Sequence, residues 1–156
     1  NDAGLSDLAR LCDAFYIGGT KCGALFGEAV VFPKKNTVPH FFTIVKQHGA
    51  LLAKGRIAGI QFDTLFTDGL YLKCGQNAVD KAARIRKALR DKGYELAIDA
   101  PTNQIFPLLD ARMLATLSEK VEMSFWENRP DGRTVVRIAT SWATTDEEVD
   151  RLIEIL

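Results

Sequence analysis

An excess of charge of one sign and a long hydrophobic run are both missing from the sequence. Lys plus Arg and Asp plus Glu each number 20, so the formal net charge is +0. Balanced charge argues against nucleic acid or an anionic membrane surface as the main partner. No apolar run approaches the roughly 18 residues that a membrane-spanning helix needs. We therefore expect no nucleic-acid or membrane partner.

Cysteine and histidine are scarce as well. The three cysteines, Cys12, Cys22 and Cys74, match no metal-binding spacing, and an odd number is a poor disulfide framework. We interpret them as reduced thiols of a cytoplasmic protein. His40 and His48 lie in one helical segment without a carboxylate or cysteine to complete a metal site. We predict surface or capping positions for both and no metal centre.

The composition that is present is globular. Apolar residues make up 47% of the 156 residues, which is enough for one ordinary domain with a core. We expect no secretory signal, and we interpret Asn1-Asp2-Ala3-Gly4 as the interior of a longer chain.

The first half of the chain alternates short apolar and glycine-rich segments. The pattern predicts a helix over 5–11, a buried strand over 14–17 and a second strand over 28–32 that pairs with it antiparallel. From Pro39 to about Leu72 the pattern is helical and interrupted by glycines. The stretch 57–70 has so little polar surface that we expect it to be buried or packed on another subunit.

The second half predicts a compact unit of helices and strands. Ala78, Ala82, Ile85 and Leu89 form one stripe of an amphipathic helix, with basic residues on its solvated side. Beyond it we predict strands over 103–108, 121–125 and 134–141. Asp110 should cap one helix, and a Thr145–Glu148 capping box should start the last. The fold class is α/β (α+β), with domains 1–72 and 73–156.

Lys21 is the first candidate for chemistry. It lies between Gly18-Gly19 and Gly23, and such a loop lets the backbone approach a ligand and offers amide N–H groups to phosphate. A desolvated lysine loses its proton more easily, which suits Schiff-base formation. The alternative is an ordinary exposed loop lysine. A nucleotide-binding phosphate loop is excluded because the order Gly-Lys-Ser/Thr is absent.

Two arginines are further candidates. Arg137 lies in mid-strand between Val135 and Ala139, where a buried cation needs an anionic partner. Its planar guanidinium suits a carboxylate held by two hydrogen bonds, although a structural salt bridge or an exposed strand face fits equally. Arg56 follows Lys54-Gly55 in an otherwise apolar segment, and faces either a subunit interface, a phosphate or plain solvent.

Four segments are distinctive: DAFYIGGTKCGA at 13–24, GEAVVF at 27–32, GALLAKGR at 49–56 and VRIATSW at 136–142. Together they resemble the low-specificity threonine aldolase and β-eliminating lyase family of fold-type-I pyridoxal-phosphate enzymes. The resemblance runs from about Leu5 to the end. It implies the carboxy-terminal part of such an enzyme: the end of the large domain, then a small domain with a short antiparallel sheet and covering helices.

The resemblance also implies roles for individual residues. Lys21 would hold pyridoxal phosphate covalently, Thr20 would hydrogen-bond its phosphate, and Arg137 would bind the substrate carboxylate. Arg56 would reach a neighbouring subunit's cofactor phosphate. Relatives commonly have Asn where this chain has Cys22. The family's amino-terminal half brings an aspartate, a ring-stacking histidine and most phosphate contacts, so we expect the chain alone to be folded but inactive.

The implied reaction cleaves threonine or allo-threonine to glycine and acetaldehyde. The substrate would be a small β-hydroxy amino acid, and the enzyme a homodimer or homotetramer. A β-eliminating lyase or an aminotransferase of the same fold stays open. So does a non-enzymatic α/β ligand-binding or dimerisation module, because strand-helix-strand-strand-helix over 103–156 is also the order of small regulatory sandwiches.

Overall fold

The computed structural model describes residues 3–35 and 37–156, so the expectation about Asn1 and Asp2 lies outside the described residues. The chain separates into two compact units, the first ending at Tyr71 and the second running from Leu72 to Leu156. Within the described ranges, no helix combines the length and the apolar character needed to cross a membrane.

The first unit contains short elements joined by long loops. Its two strands pair antiparallel, with Phe15 opposite Val31 and Gly18 opposite Glu28, as the sequence predicted. The helical segment expected from Pro39 onward is two helices with a break between them. The elements are α1 (Leu5–Leu11), β1 (Phe15–Gly18), β2 (Glu28–Val31), α2 (Phe41–Gln47) and α3 (Arg56–Phe66).

Burial in the first unit departs from the expectation. Strand β1 was predicted to be buried, but the Tyr16 side chain is 70% exposed and its strand neighbours are only half-buried. The stretch 57–70 was expected to be buried or packed on another subunit. Within this chain it is not buried, because Ile57 is 59% and Ile60 is 51% exposed, and packing on another subunit stays a prediction. A period-2 pattern predicts which residues share a face, but not whether anything covers that face.

The long helix α4 (Leu70–Asp91) carries the predicted apolar stripe. Ala82 and Leu89 on that stripe are fully buried. The basic residues off the stripe are not uniformly solvated, however. The Lys81 side chain is only 12% exposed and forms an ion pair with Asp146, so its ammonium is partly desolvated and its charge is used structurally.

The second unit is an antiparallel sheet with helices packed on it. The strands lie in the order β3-β4-β6-β5. They are β3 (Glu95–Ile98), β4 (Gln104–Leu109), β5 (Ser124–Asn128) and β6 (Thr134–Ala139), and the remaining helices are α5 (Ala111–Ser118) and α6 (Asp146–Ile155). The sequence did not predict β3. Its prediction that the next strand begins at Val121 was wrong, because β5 begins at Ser124.

Both faces of this sheet bury apolar side chains. On one face, Ile105 packs with residues of α4 and α6, while Leu109 and Val136 pack with α5. On the other face, Val135 packs with Phe106 and Leu108. The predicted helix caps are confirmed: the Asp110 carboxylate accepts a hydrogen bond from the Met113 amide at 2.7 Å, and Thr145 and Glu148 form a reciprocal capping box.

Candidate functional site

Lys21 lies in a single 3-10 turn, Thr20–Cys22, that follows strand β1. The turn closes on one carbonyl: the amides of Cys22 and Ala24 donate to the Gly19 oxygen at 2.9 and 3.0 Å. Gly23 ends the turn with a φ of 104°, which a residue with a side chain rarely adopts. The Lys21 side chain is exposed and forms no hydrogen bond or ion pair with the described residues. We call residues 18–24 the lysine turn.

The lysine turn packs tightly against helix α3 through a buried glycine. A Cβ atom on Gly19 would lie 2.6 Å from the Ala24 Cβ and 3.0 Å from the Phe62 Cζ. Real Cβ atoms do not approach other carbons that closely, so only glycine fits at this position. The preceding Gly18 is different, because a Cβ there would meet nothing within 4 Å.

Two side chains from the helical segment hold the ends of the lysine turn. The Gln61 side chain accepts a hydrogen bond from the Leu25 amide at 2.6 Å and donates one to the Phe26 carbonyl at 3.4 Å. The Tyr71 hydroxyl donates to the Gly18 carbonyl at 2.9 Å. Burial, with a smaller contribution from Cys22, raises the pKa of Tyr71 to about 12. The sequence singled out neither residue.

Thr20 and Arg56 both present their side chains to solvent. Thr20 directly precedes Lys21 and is exposed. Arg56 is the first residue of α3 and is exposed, with no ion pair to any part of the chain that the structure describes. A cation at a helix amino terminus opposes the helix dipole, so Arg56 does not serve the stability of α3.

The two histidines lie at the ends of α2, where the sequence predicted surface or capping positions. His40 is the amino-terminal cap and His48 the carboxy-terminal cap of that helix. In residues 3–35 and 37–156, no three His, Cys, Asp or Glu side chains gather in a way that could hold a metal ion.

Arg137 lies on β6 in the second unit, opposite Ser124 of β5. Its guanidinium carbon is 5.9 Å from the centroid of the Trp126 ring, and Trp126 packs edge-on against Phe106 with ring centroids 5.0 Å apart. The Nε atom is buried and has no hydrogen-bond partner among the residues that the structure describes. No described carboxylate pairs with the guanidinium. An aromatic face attracts the cation but accepts no directed hydrogen bond comparable to that of a carboxylate.

The structure distributes the candidate residues over both units. Thr20 and Lys21 are adjacent in the lysine turn. Arg56 begins the helix whose Gln61 and Phe62 brace that turn, and therefore belongs to the same unit. Arg137 belongs to the second unit, with Trp126 as its neighbour. The sequence analysis did not single out Trp126, because its position near Arg137 depends on the pairing of β5 with β6, which no local pattern encodes.

The sequence comparison and the structure comparison both match threonine aldolases. No family model matches the sequence. The chain is 28% identical over 141 residues to the low-specificity L-threonine aldolase of a Pseudomonas species, covering 90% of this chain and 40% of that protein. It superposes on Leishmania major threonine aldolase with a TM-score of 0.94 and 41% identity, covering 99% of this chain and 45% of the other.

More distant structures share the fold alone. Serine palmitoyltransferase of Sphingomonas wittichii matches with a TM-score of 0.64 and 16% identity over 92% of this chain and 38% of its own. A structure of SPT with its PLP internal aldimine matches with a TM-score of 0.55 and 13% identity over 83% of this chain and 35% of its own. The fold-type-I class and the resemblance predicted from the sequence are therefore confirmed, and the chain spans less than half the length of these relatives.

Proposed function

We infer, from a chain related over nearly all of its length to a threonine aldolase, that the full-length protein is a pyridoxal-phosphate-dependent aldolase. By full-length protein we mean this chain together with the remaining length that its relatives have. The proposed reaction cleaves threonine or allo-threonine, small β-hydroxy amino acids, to glycine and acetaldehyde. The observation that carries the proposal is 41% identity over 99% of the chain.

The residues of the first unit fit a cofactor that bears an aldehyde and a phosphate. The Lys21 amine is exposed on a braced turn and has no partner among the described residues, so it is available for covalent attachment. The exposed Thr20 hydroxyl can donate to a phosphate oxygen. Arg56 supplies an exposed cation, which we assign to the cofactor phosphate of a neighbouring subunit. When bound, pyridoxal phosphate withdraws electrons from the substrate Cα.

We assign the substrate carboxylate to Arg137 in the second unit. Its buried Nε lacks a hydrogen-bond partner in residues 3–35 and 37–156, and burying a donor without one is costly. A carboxylate held by two parallel hydrogen bonds removes that cost and fixes the orientation of the substrate. The Trp126 ring, 5.9 Å from the guanidinium carbon, keeps the arginine in place while the ligand is absent.

Assembly and location complete the proposal. We propose a homodimer or homotetramer, because Ile57, Ile60 and other apolar side chains of the first unit are exposed. Light scattering of the full-length protein measures this, and a monomer at high concentration would contradict it.

We place the enzyme in the cytoplasm on its odd number of cysteines. The chain alone should fold but show no threonine cleavage, and robust turnover with added pyridoxal phosphate would overturn that expectation.

Covalent trapping tests the central assignment. The full-length protein is loaded with pyridoxal phosphate, reduced with borohydride and mapped by peptide mass spectrometry. The label should lie on Lys21, and Lys21→Arg should abolish it. Lys34→Arg is the matched control, because Lys34 pairs with Asp13 at 3.3 Å and has no assigned role. A label on another lysine, or none, would refute the assignment, while a labelled protein that forms elimination or transamination products would favour the alternatives.

A further inference from the structure

We propose that Tyr71 is a positioning residue for Lys21, acting through a hydroxyl that joins the backbone before the lysine to the side chain after it. The proposal rests on the proposed function, because it concerns how the amine is presented to the cofactor. Tyr71 touches neither cofactor nor substrate in this scheme. Its effect passes through the lysine turn.

The hydrogen bond from the Tyr71 hydroxyl has a defined direction. The hydroxyl donates its single proton to the Gly18 carbonyl at 2.9 Å. The Cys22 side chain interacts with the same hydroxyl, and this interaction adds to the effect of burial in raising the pKa of Tyr71. Gly18 precedes Lys21 and Cys22 follows it, so one phenol oxygen ties together the two sides of the turn.

The phenol is itself held in place. The Tyr71 ring stacks on Phe66 with centroids 5.1 Å apart and an interplanar angle of 11°. Phe66 stacks in turn on Phe62, whose ring edge fills the space beside Gly19. Burial raises the pKa of Tyr71 to about 12. The hydroxyl therefore keeps its proton, and remains a donor to Gly18, across the physiological pH range.

Lys21 depends on this bracing because nothing else in the described chain fixes it. Its amine has no hydrogen-bond or ionic partner there, so only the backbone of the lysine turn determines where the side chain starts. Gln61 fixes the far end of the turn through Leu25 and Phe26. Without the Tyr71 hydroxyl the near end loses its tie. The amine then spends less time where a covalent bond to the cofactor can form.

The test compares two tyrosine-to-phenylalanine variants of the full-length protein. Tyr71→Phe removes the bridging hydroxyl and keeps the aromatic stack. Tyr16→Phe is the matched control, because Tyr16 is 70% exposed and makes no contact of this kind with the described residues. Three quantities are measured: the Kd for pyridoxal phosphate from borohydride-fixed label on Lys21, the exchange rates of the Cys22 and Ala24 amides in cofactor-free protein, and kcat and KM for threonine.

Tyr71→Phe should raise the Kd for pyridoxal phosphate about five- to tenfold, which corresponds to the loss of one hydrogen bond. The Cys22 and Ala24 amides should exchange faster, and kcat should fall. The KM for threonine should change less than kcat, because the substrate carboxylate is assigned to Arg137. Tyr16→Phe should match the wild type in all three measurements. A purely structural role of Tyr71 would lower Tm and leave the Kd of the folded protein unchanged, and that result would overturn the proposal.

Two further outcomes, a Tyr71→Phe variant that does not fold and a wild-type protein without label, each have their own measurement. If Tyr71→Phe does not fold, Cys22→Ser and Cys22→Ala decide, since serine keeps a side chain that can hydrogen-bond to the Tyr71 hydroxyl and alanine does not. The serine variant should keep the wild-type Kd for pyridoxal phosphate, and the alanine variant should have a higher Kd. Equal Kd values for the two variants would overturn the proposal. If the wild-type protein carries no label on Lys21, the proposed function fails, and amide exchange in Tyr71→Phe still shows whether the hydroxyl braces the turn.

Discussion

The two compact units differ in how completely they bury their own apolar side chains. In the first, the buried apolar residues are Cys22, Ala24 and Leu65, two of which are small. In the second, apolar side chains are buried on both faces of the sheet, and Leu89, Leu109 and Val135 are completely inaccessible. Most of the large apolar side chains that remain exposed belong to the first unit.

This difference indicates that the units obtain their stability in different ways. A sheet that buries apolar side chains on both of its faces has a core of its own, whereas a hairpin and short helices with exposed apolar side chains do not. The first unit nevertheless contains one locally rigid feature, the lysine turn, which is fixed by Gly19, Gln61 and Tyr71. We interpret the first unit as a site-bearing element that depends on further protein surface for its stability.

Separating the units should give the largest effect. We expect residues 72–156 alone to unfold cooperatively on heating, and residues 3–71 alone to show little fixed structure. The reason is that only the second unit buries enough apolar surface to offset the entropy of ordering its chain. Circular dichroism melts of the two pieces measure this. A cooperative transition in the first piece would break the comparison.

The same substitution placed in each unit sharpens the difference. Leu109→Ala removes a fully buried side chain from the second unit and should reduce the free energy of unfolding by about 2–5 kcal/mol. Leu25→Ala removes a side chain that is 83% exposed in the first unit and should change it by less than about 0.5 kcal/mol. Urea denaturation of both variants checks the contrast. Equal losses would mean that Leu25 is covered in solution.

Arg137→Lys tests whether the two units carry separable parts of the proposed site. Lysine keeps the charge but cannot form two parallel hydrogen bonds to a carboxylate. The kcat/KM of the full-length protein should therefore fall roughly ten- to hundredfold, which corresponds to a loss of about 1.5–3 kcal/mol of transition-state stabilisation. Borohydride labelling of Lys21 should stay at the wild-type level, because the cofactor contacts that we propose for this chain all belong to the first unit. Unchanged kinetics would return Arg137 to a structural role.

The paired glycines test the rigidity of the lysine turn. Gly19→Ala forces a Cβ to within 2.6 Å of the Ala24 Cβ, and should cost about 1–3 kcal/mol through overpacking. It should also lower the labelling of Lys21 in the full-length protein. Gly18→Ala is the control, since its Cβ would meet nothing within 4 Å. Similar losses for both variants would show that the close packing at Gly19 does not position the lysine.

The parts of the fold that the sequence predicted depend on neighbouring residues. The Asp110 cap and the Thr145–Glu148 capping box need only three or four consecutive positions, and both were predicted correctly. Strand β3 was missed because it is short, and its register against β4 shifts between Leu96 and Ile98. Its strand character comes from pairing with a partner, which local pattern does not encode.

The same distinction between neighbouring and distant residues applies to the candidate site. Lys21 and Thr20 became candidates because their segment is contiguous and chemically distinctive. Tyr71 reaches Gly18 across 53 residues, and Gln61 reaches Leu25 across 36, so neither relation is visible as a spacing. The expectation of a buried lysine strand was wrong for the same reason, because apolar residues such as Tyr16 are buried only where another segment covers them.

Acid titration of ion pairs should give the smallest effect and extends the comparison to the surface. Asp146, at the start of α6, is paired with Lys81 and Arg84, and this pairing, Lys81 first, lowers the pKa of its carboxyl below the usual 3.8. A lowered folded-state pKa means that the stabilisation is present above the unfolded-state pKa and is lost as pH falls through the folded-state value. Asp146→Asn should therefore lower Tm at neutral pH, by less in high salt, and match the wild type well below pH 3.8.

Asp13→Asn in the first unit should change Tm less, because Asp13 has one well-exposed partner, Lys34. Thermal melts of both variants across acidic to neutral pH measure this, and a deficit of Asp146→Asn that persists at the acid end would mean that Asp146 acts through packing and not through its charge.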